Sequence, residues 1–405
     1  MKIACTSDWH VHNFTDFSRY IMTTWDEESR VYKEVEDCNA EDSKEMNSRL
    51  FNILNGLCYI RDYCIDNSIE HVLMAGDLFH KRGTIDVTVL NSVYKVITSF
   101  EELGVHLHIL SGNHDQVDAS QLPSSSVHLF KDMSHVIEKP EYFRIEDESG
   151  ESVEVVAVPY SKDKEFVIDS MRKLNKTCKH PEQSILMAHL GVTGGVTGSG
   201  MYVMSDEYSL SELTRVKWKY IVLGHYHRPQ LLSKRAFYCG TPVQNTFNDE
   251  IKGENGYNGF FVVDTCKRYD ITFVPIIAPR FITVSSVEEL KKYSKEYLES
   301  NYIRVKSSAE DVETIKDTIE SILGDENSGE VRLELEKTYD TESRSDIGVS
   351  MSFSEAIETY VQEKYTGSIN DFKVLEVGLD ILSEATSGGK LVLPLMSLNS
   401  SSALS

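Results

Sequence analysis

Short apolar segments alternate with amphipathic helical segments through the first third of the chain, and polar residues follow each apolar segment directly. The pattern predicts strands at residues 2–6, 71–75 and 105–110, with helices at residues 50–60 and 87–103 between them. This order is typical of an α/β fold in which helices connect the strands of a sheet. Ligands bind at the carboxyl ends of such strands, so polar residues that are far apart in sequence can meet there.

Five short signatures carry side chains that bind metals or phosphate, and four of them lie where an apolar strand ends. Further strands are predicted at residues 154–158, 184–188, 220–223 and 259–263. Each signature alone is weak, because Gly-Asp and Gly-Asn-His-Asp sequences also occur in ordinary turns. Together they predict one shared site. In chain order the signatures are Asp8-Trp9-His10, Gly76-Asp77-Leu78-Phe79-His80, Gly112-Asn113-His114-Asp115, His189 and Gly224-His225-Tyr226-His227.

The residue types of these signatures indicate a particular metal chemistry. Carboxylates, imidazoles and an amide oxygen without a thiolate suit Mn(II), Fe(II) or Zn(II) better than Ca(II). Asp77 is the natural bridging ligand, because one carboxylate can hold two cations. Two cations roughly 3.5–4 Å apart could bind the oxygens of a phosphodiester and acidify a bridging water to hydroxide. The sequence therefore predicts a two-metal phosphoesterase.

A second histidine pair with the same spacing gives a contrast. His106 and His108 are also two residues apart, but they lie inside an apolar strand and have no carboxylate beside them. We expect both to lie on the outer face of that strand and to bind no metal.

The formal net charge of −23 limits how the chain can bind nucleic acid. A chain this acidic repels phosphate groups unless local basic residues, bound cations or a partner supply positive charge. The seven cysteines include no C-x-x-C pair and are expected to be buried, reduced thiols of a cytoplasmic protein. No run of eighteen apolar residues occurs, so no membrane-spanning helix is predicted.

The first 340 residues are predicted to form two domains. Residues 1–277 form the catalytic domain, with an acidic insertion at about residues 12–46. Its segment 26–46 is expected to be solvated, part helix and part loop, because acids outnumber apolar residues there. Residues 278–340 form a small α/β domain, in which residues 287–299 are expected to be one helix.

The five signatures resemble those of the calcineurin-like metallophosphoesterase superfamily. More narrowly, the chain resembles the SbcD-type DNA repair nucleases of bacteria and phages, clearly over about residues 1–280. The narrower resemblance rests on the second and third signatures, and on the segment Tyr238-Cys239-Gly240-Thr241-Pro242 with Glu250. One departure is the segment 26–46, which is longer and more acidic than the usual loop of that family.

This resemblance implies a fold and a role for each site residue. The fold is a four-layer sandwich of two sheets flanked by helices, with the small α/β domain as a capping domain that helps to select DNA. His114 would protonate the leaving 3′-oxygen, Asp115 could orient His114, and His80 could contact the phosphate. One metal would be bound by Asp8, His10, Asp77 and His227, and the other by Asp77, Asn113, His189 and His225.

The resemblance also implies an activity and partners. The activity is that of a two-metal nuclease, exonuclease on duplex ends and endonuclease on single strands, in DNA recombination, repair or replication. The two divalent cations are expected to be Mn(II), with Mg(II) as the alternative. The partner would be an SbcC-like coiled-coil ATPase, bound to a homodimer of the nuclease in a heterotetramer, which would supply much of the positive DNA-binding surface.

The C-terminal region is the candidate docking site for that ATPase. Residues 341–386 contain two helical segments, at 353–365 and 372–385. Packing of these helices on their own domain is the alternative. Residues 387–405 are Ser-rich and are expected to form a flexible tail.

Two other classes of protein remain as hypotheses. The first is another metallophosphoesterase, acting on phosphoproteins or nucleotides. Against a phosphoprotein phosphatase, Gly76-Asp77 is followed by Leu-Phe-His and not by the acid and arginine typical there. The second is a non-catalytic scaffold that kept only the fold. It predicts damaged ligands, whereas every expected ligand is present in the sequence.

Overall fold

The structure is a computed structural model of the chain. Residues 1–336 form one compact unit and residues 337–405 a second one. The helices expected at 353–365 and 372–385, and the tail, lie outside the described residues except for Val361 and Val374. The described residues are 1–36, 42–118, 124–196, 208–253, 256–284, 286–307, 312–323, 331–335, 361 and 374.

The first unit contains both strands and helices. The strands are β1 (Lys2–Thr6), β2 (Tyr20–Asp26), β3 (Val31–Glu34), β4 (Lys44–Asn47), β5 (His71–Met74), β6 (His106–Leu110), β7 (His135–Ile137), β8 (Glu141–Glu146), β9 (Ser152–Val158), β10 (Ile185–His189), β11 (Tyr220–Gly224), β12 (Gln230–Leu231), β13 (Ala236–Tyr238), β14 (Gly259–Asp264), β15 (Asp270–Pro275), β16 (Phe281–Val284), β17 (Tyr302–Ser307) and β18 (Val331–Leu335). The α-helices are α1 (Ser48–Asp66), α2 (Val87–Glu102), α3 (Lys164–Asn175), α4 (Leu210–Thr214), α5 (Val287–Leu290), α6 (Lys295–Glu299) and α7 (Val312–Leu323).

Two six-stranded sheets form the centre of this unit, in the orders β15-β14-β1-β5-β6-β7 and β12-β13-β11-β10-β9-β8. Their central strands pair in parallel, as does the edge strand β7, and antiparallel strands complete the other three edges. One apolar core lies between the two sheets. Helices α1 and α2 cover the outer face of the first sheet, and α3 and α4 cover that of the second. The predicted four-layer α/β sandwich is confirmed.

Burial and capping explain why these segments form these elements. Strands β5, β10 and β11 are buried at every position, as expected for parallel strands that are covered on both faces. Helix α1 begins at Asn47, whose side chain accepts hydrogen bonds from the N–H groups of Arg49 and Leu50. Asp86 begins α2 in the same way. Gly104 follows the end of α2 with a φ of 76°, which is typical of a glycine that terminates a helix.

The acidic insertion differs from its prediction. Instead of part helix and part loop, it contains the antiparallel sheet β3-β2-β4. Tyr32 and Met46 are buried against α1 and α2, and Trp25 packs beside them. Asn55 of α1 also bonds both backbone groups of Tyr32. Residues 20–24 alternate between buried and more exposed positions, so a strand period begins just before the acid-rich segment 26–46.

The segment 287–299 also differs from its prediction, because it forms two short helices, α5 and α6, instead of one. The helix is interrupted before Ser294, because the Ser294 side chain accepts a hydrogen bond from the N–H of Tyr297 and caps the start of a new helix, α6. The small sheet β16-β17-β18 is parallel and has its own apolar cluster with α6 and α7. The domain boundary at residue 278 stays a prediction.

The His106–His108 pair corrects a third expectation. Both side chains lie on the face of β6 that also carries Leu110, which belongs to the core between the sheets. His106 lies at the rim, is exposed and pairs with Glu101. His108 is only 6% exposed, because the second sheet covers it.

Candidate metal centre

The five signatures meet where the carboxyl ends of the two sheets adjoin. The first sheet supplies Asp8 after β1, Asp77 after β5 and Asn113 after β6. The second sheet supplies His189 as the last residue of β10, and the His225–His227 pair directly after β11. Two backbone hydrogen bonds connect the first two loops, from Asp8 N to Gly76 O (2.8 Å) and from His10 N to Asp77 O (3.1 Å).

The backbone of these loops is strained at the residues that carry the chemistry. The φ angles of Asp8, His10, Asp77 and His225 are 52°, 45°, 60° and 106°. Residues other than glycine rarely adopt positive φ, and such strain concentrates at functional sites. The surrounding sheets hold these side chains in an orientation that an unstrained turn would not give.

Three signature glycines pack directly against the site. A Cβ on Gly76 would lie 2.3 Å from Nδ1 of His189, and one on Gly112 would lie 2.2 Å from Oδ1 of Asp77. A Cβ on Gly224 would lie 2.0 Å from the Ala75 carbonyl oxygen. Any side chain at these positions would displace the metal-binding groups, which explains why three of the five signatures begin with a glycine.

The first group of donors surrounds His10. Its Nε2 lies 2.9 Å from Nε2 of His227, 3.7 Å from Oδ2 of Asp77 and 4.0 Å from Oδ1 of Asp8. Donor atoms that share one cation at about 2.1 Å are roughly 3 Å apart, so this spacing needs only small adjustments to bind a metal. The residues expected to bind the first metal are therefore brought together.

The second group surrounds His189. Its Nε2 lies 3.4 Å from Oδ2 of Asp77 and 2.9 Å from Oδ1 of Asn113, and Nδ1 of His225 lies 3.0 Å from the same Asn113 oxygen. Oδ2 of Asp77 thus faces both groups, in the position of a bridging ligand. The donor set fits two divalent cations.

Hydrogen bonds behind two of the imidazoles leave their Nε2 atoms available to a metal. Nδ1 of His189 donates to the Ala75 carbonyl (2.8 Å), and Nδ1 of His227 bonds Oδ1 of Asp249 (2.9 Å). The other oxygen of Asp249 accepts from the N–H groups of Asn245 and Thr246. Such partners fix the tautomer and orientation of metal-binding histidines.

Asp249 is a functional residue that sequence reasoning missed. It lies next to Glu250, which the family resemblance singled out instead. The sequence did contain one indication of its position. Thr246 and Asp249 have the spacing of a capping box, in which the Asp249 side chain accepts a hydrogen bond from the Thr246 N–H. The sequence could not show that the second oxygen of this aspartate reaches a histidine 22 residues earlier.

Charges at the centre prepare it for cations. Burial acts to raise the pKa of Asp77. The effect of His189 and His10 is larger and opposite, so the pKa of Asp77 falls below its ordinary range. Burial acts to lower the pKa of His189 and of His227, but Asp77 and Asp249 respectively reverse this and raise each pKa to about 9. A divalent cation must displace these protons when it binds.

The residues expected to be catalytic lie beside this cluster. Nδ1 of His114 bonds the His80 carbonyl (2.6 Å), which leaves Nε2 as its free nitrogen. The His114 N–H donates to Oδ1 of Asp77 (2.8 Å), and the His114 ring meets that of His10 edge-on at 4.9 Å. The His80 ring stacks on His114 at 5.7 Å, and burial and then His114 lower its pKa to about 4.

Asp115 does not make the contact with His114 that was expected of it. Its carboxylate accepts hydrogen bonds from the N–H groups of Asp77 (2.9 Å), Gly112 (2.9 Å) and Phe79 (3.1 Å). Burial and then the charge of Asp77 raise its pKa to about 7. Asp115 therefore holds together the loops that carry Asp77 and Asn113, and the His80 carbonyl orients His114.

The fold and the donor set define the chain as a metal-dependent phosphoesterase. Residues 1–229 match the family described as calcineurin-like phosphoesterase, and the chain belongs to that family. The family uses two divalent metals.

A solved structure of a dimetal phosphatase from Danio rerio is also similar to this chain. It is 11% identical with a TM-score of 0.35, over 65% of this chain and 91% of that chain. No helix in the described part of the chain has the length and apolarity needed to cross a bilayer.

Proposed function

We propose that the protein is a two-metal DNA nuclease, exonuclease on duplex ends and endonuclease on single strands, that acts in DNA recombination, repair or replication. The observation that carries this proposal is the imidazole pair of His80 and His114 beside Asp77. The leaving group of a phosphodiester is an alkoxide, whose departure is accelerated by a proton donor. His114, with Nδ1 held by the His80 carbonyl, can donate that proton from Nε2.

The chain's own residues divide the remaining work. Bound divalent cations, Mn(II) or alternatively Mg(II), supply Lewis-acid activation of the phosphate and of water. Asp115 keeps the loops of Asp77 and Asn113 in register through three backbone hydrogen bonds. His114 in its protonated form gives its Nε2 proton to the leaving 3′-oxygen. His80, stacked on His114, is placed to contact the phosphate.

Local basic residues support a polyanionic substrate in spite of the net charge of −23. Lys81 and Arg82 directly follow His80, and Arg228 directly follows His227. Lys81 is exposed, and the two arginines are partly exposed. Positive charge of this kind at the rim of the metal centre attracts phosphates and adds little to specificity.

The resemblance to SbcD-type nucleases extends the proposal to partners. A coiled-coil ATPase of the SbcC type would supply further positive surface, and it would dock on residues 341–386. The nuclease would act as a homodimer within a heterotetramer, in the cytoplasm. These assignments depend on the resemblance and on the acidity of the chain.

The test compares His114→Ala with His106→Ala, an exposed histidine far from the signatures in the fold. Substrates are end-labelled duplex DNA, circular single-stranded DNA and bis(p-nitrophenyl) phosphate, all with Mn(II). We expect His114→Ala to lose about 10²–10⁴-fold in kcat on DNA, the usual contribution of a general acid. The loss on the aryl diester should be much smaller, because its leaving group departs without a proton.

Two outcomes would contradict the proposal in different ways. Equal losses of His114→Ala on DNA and on the aryl diester would remove the acid role of His114 and leave the nuclease intact. Turnover of a phosphopeptide or nucleotide by the wild type, with no activity on either DNA even when the ATPase is present, would favour another metallophosphoesterase.

The rim residues give a separate test of the substrate class. Lys81→Ala should raise KM for DNA and reduce the salt dependence of binding by about one phosphate contact. The matched variant Lys267→Ala, far from the signatures in sequence, should not. Neither change should affect turnover of bis(p-nitrophenyl) phosphate.

A further inference from the structure

A second histidine cluster lies at the opposite ends of the strands that carry the metal loops. His71 begins β5, His108 lies in β6, and His135 begins β7. The Phe143 ring of β8 stacks on His108 at 5.3 Å and meets His135 edge-on at 4.4 Å. The cluster therefore lies at the corner where the edge strand β7 of the first sheet adjoins the edge strand β8 of the second.

Hydrogen bonds connect these rings into one chain whose two ends are both on β8. Nε2 of His71 bonds the Glu146 carbonyl (3.1 Å), and Nδ1 of His71 meets Nε2 of His108 (3.2 Å). Nδ1 of His108 meets Nδ1 of His135 (3.1 Å), and Nε2 of His135 lies 2.7 Å from the Glu141 carboxylate. All six ring nitrogens are in contact with a partner.

The number of protons in this chain follows from its end groups. A carbonyl and a carboxylate only accept hydrogen bonds, so the terminal nitrogens of His71 and His135 each carry a proton. Each of the two nitrogen–nitrogen contacts also needs one proton to form its hydrogen bond, which adds two protons to the two at the ends. Three neutral imidazoles carry three protons, whereas the four contacts need four. The closed chain therefore has one positive charge, which Glu141 balances.

The three rings differ in how readily they hold the extra proton. Burial lowers the pKa of His71, and burial and then His71 lower that of His108 well below its ordinary value. Of the three rings only His135 contacts a carboxylate, so the geometry places the fourth proton at this partly exposed end of the chain. Other charged or titratable groups that face the chain from neighbouring elements are Glu70, Glu101, His106, Lys131, Asp132, Arg144 and Asp147.

We propose that His71, His108, His135 and Glu141 form a pH-gated latch that holds the edges of the two sheets together. At alkaline pH the chain loses one proton, and one of its four contacts then has no hydrogen. At acidic pH it gains one proton, and two N–H groups then point at each other. The latch is therefore closed only within a window of pH and opens on both sides of it. It is not a metal site, because within the described residues the groups of three donors that converge on one point all lie at the metal centre.

The position of the latch connects it to the metal centre. Strands β5 and β6 begin at His71 and His106 and end at the loops of Asp77 and Asn113. An open latch separates β7 from β8 at the far ends of the same two strands. The expected result of opening is faster hydrogen exchange of β7 and β8 amides and a lower unfolding temperature.

Three variants of the full chain test the proton count. Glu141→Ala removes the partner of the charged ring, so the alkaline limit of the window should shift down by about one pH unit or more. Glu101→Ala removes the exposed partner of His106 and is the matched control, with no shift. Glu141→Gln can donate from its amide and supply the fourth proton, so the latch should stay closed at high pH with three neutral rings.

The measurement is the unfolding temperature from pH 5 to pH 10 in EDTA, taken as the difference from wild type. The pH range over which the unfolding temperature stays high should be narrower for Glu141→Ala and should extend to alkaline pH for Glu141→Gln. If Glu141→Gln behaves like Glu141→Ala, the proton count is wrong and only a charge pair exists. If both behave like Glu101→Ala, there is no latch.

A direct measurement needs no variant that disturbs folding. In wild-type protein with ¹⁵N-labelled histidine rings, nitrogen shifts distinguish protonated from free ring nitrogens. At neutral pH, His135 should carry protons on both nitrogens, while His71 and His108 should carry one, on Nε2. A neutral His135 at that pH would overturn the proposal.

Discussion

Two His-x-His pairs in this protein have the same spacing and opposite environments. His225 and His227 lie beyond the end of β11, whereas His106 and His108 lie within β6. The first pair meets the donors of Asp8, His10 and Asn113. The two ring nitrogens of His108 instead bond those of His71 and His135.

The comparison shows that position relative to the strand end, and not spacing, decides what a histidine pair can do. Beyond the strand, the backbone is free to turn, and carboxylates from neighbouring strands converge with the imidazoles. In the first pair, Asp249 raises the pKa of His227 to about 9 against its burial, whereas burial and then His189 lower the pKa of His225 to about 3. Inside the strand, burial without a carboxylate lowers the pKa of His108.

The largest expected effect comes from removing the charge at the centre of the first cluster. Asp77→Asn should lower kcat/KM by more than about 100-fold, because losing even an outer partner of a metal ligand costs 10–100-fold. The corresponding change in the second cluster, Glu141→Gln, should leave kcat/KM at neutral pH unchanged. Steady-state rates on bis(p-nitrophenyl) phosphate with Mn(II), together with metal content, measure both. A fully active Asp77→Asn variant would disprove the bridging role.

The next largest effect concerns metal affinity, and it distinguishes Asp249, which orients His227, from the neighbouring Glu250. Asp249→Asn should weaken Mn(II) binding about 10–100-fold, because His227 loses the group that fixes its ring and raises its pKa. Glu250→Gln is the matched control, since the Glu250 side chain accepts from the Thr283 N–H instead. Calorimetric titration with Mn(II) distinguishes them, and equal affinities would show that Asp249 has no part in metal binding.

The smallest effect concerns stability, and it has opposite signs in the two clusters. The pKa of His108 lies below 6.5 in the folded chain, so the unfolded chain binds more protons as the pH falls below 6.5, and stability decreases. Without metal, the pKa of His189 is about 9, so the stability it provides below pH 6.5 is lost as the pH rises from 6.5 to 9. Each change is at most about 1.4 kcal/mol per pH unit and group.

Urea unfolding in EDTA between pH 5 and pH 9 measures both slopes. His108→Asn should flatten the acidic side and also remove the alkaline loss that comes from the latch, whereas His189→Asn should flatten the alkaline side alone. The same change in slope for both variants would show that the two clusters titrate alike, contrary to the comparison.

The sequence was sufficient wherever a pattern has one local cause. Continuous apolar runs predicted the buried strands β5, β6, β10 and β11, and polar residues after strands predicted where the site forms. The metal-binding signatures converge for the same reason, because all five lie at carboxyl ends of the two sheets. No long-range detail was needed for these predictions.

The errors have a common physical origin, since each depended on a contact with a distant element. Trp25, Tyr32 and Met46 make the insertion a sheet because α1 and α2 offer an apolar surface. His108 is buried because the second sheet covers β6. Asp115 bonds the backbone of the Asp77 loop, and Asp249 reaches His227, although nothing local in either segment indicates the partner.

The glycines behind the metal centre have a consequence for mutational screens of this protein. Gly76, Gly112 and Gly224 have no side chain that could bind a metal, yet a library selected for activity should exclude alanine there as strictly as it excludes changes to the ligands. Gly83 and Gly104 have positive φ, as Gly76 does, but face open space, so alanine there costs only backbone strain of about 1 kcal/mol. The positions at which such a screen tolerates no substitution would therefore include the glycines packed against the ligands as well as the ligands themselves.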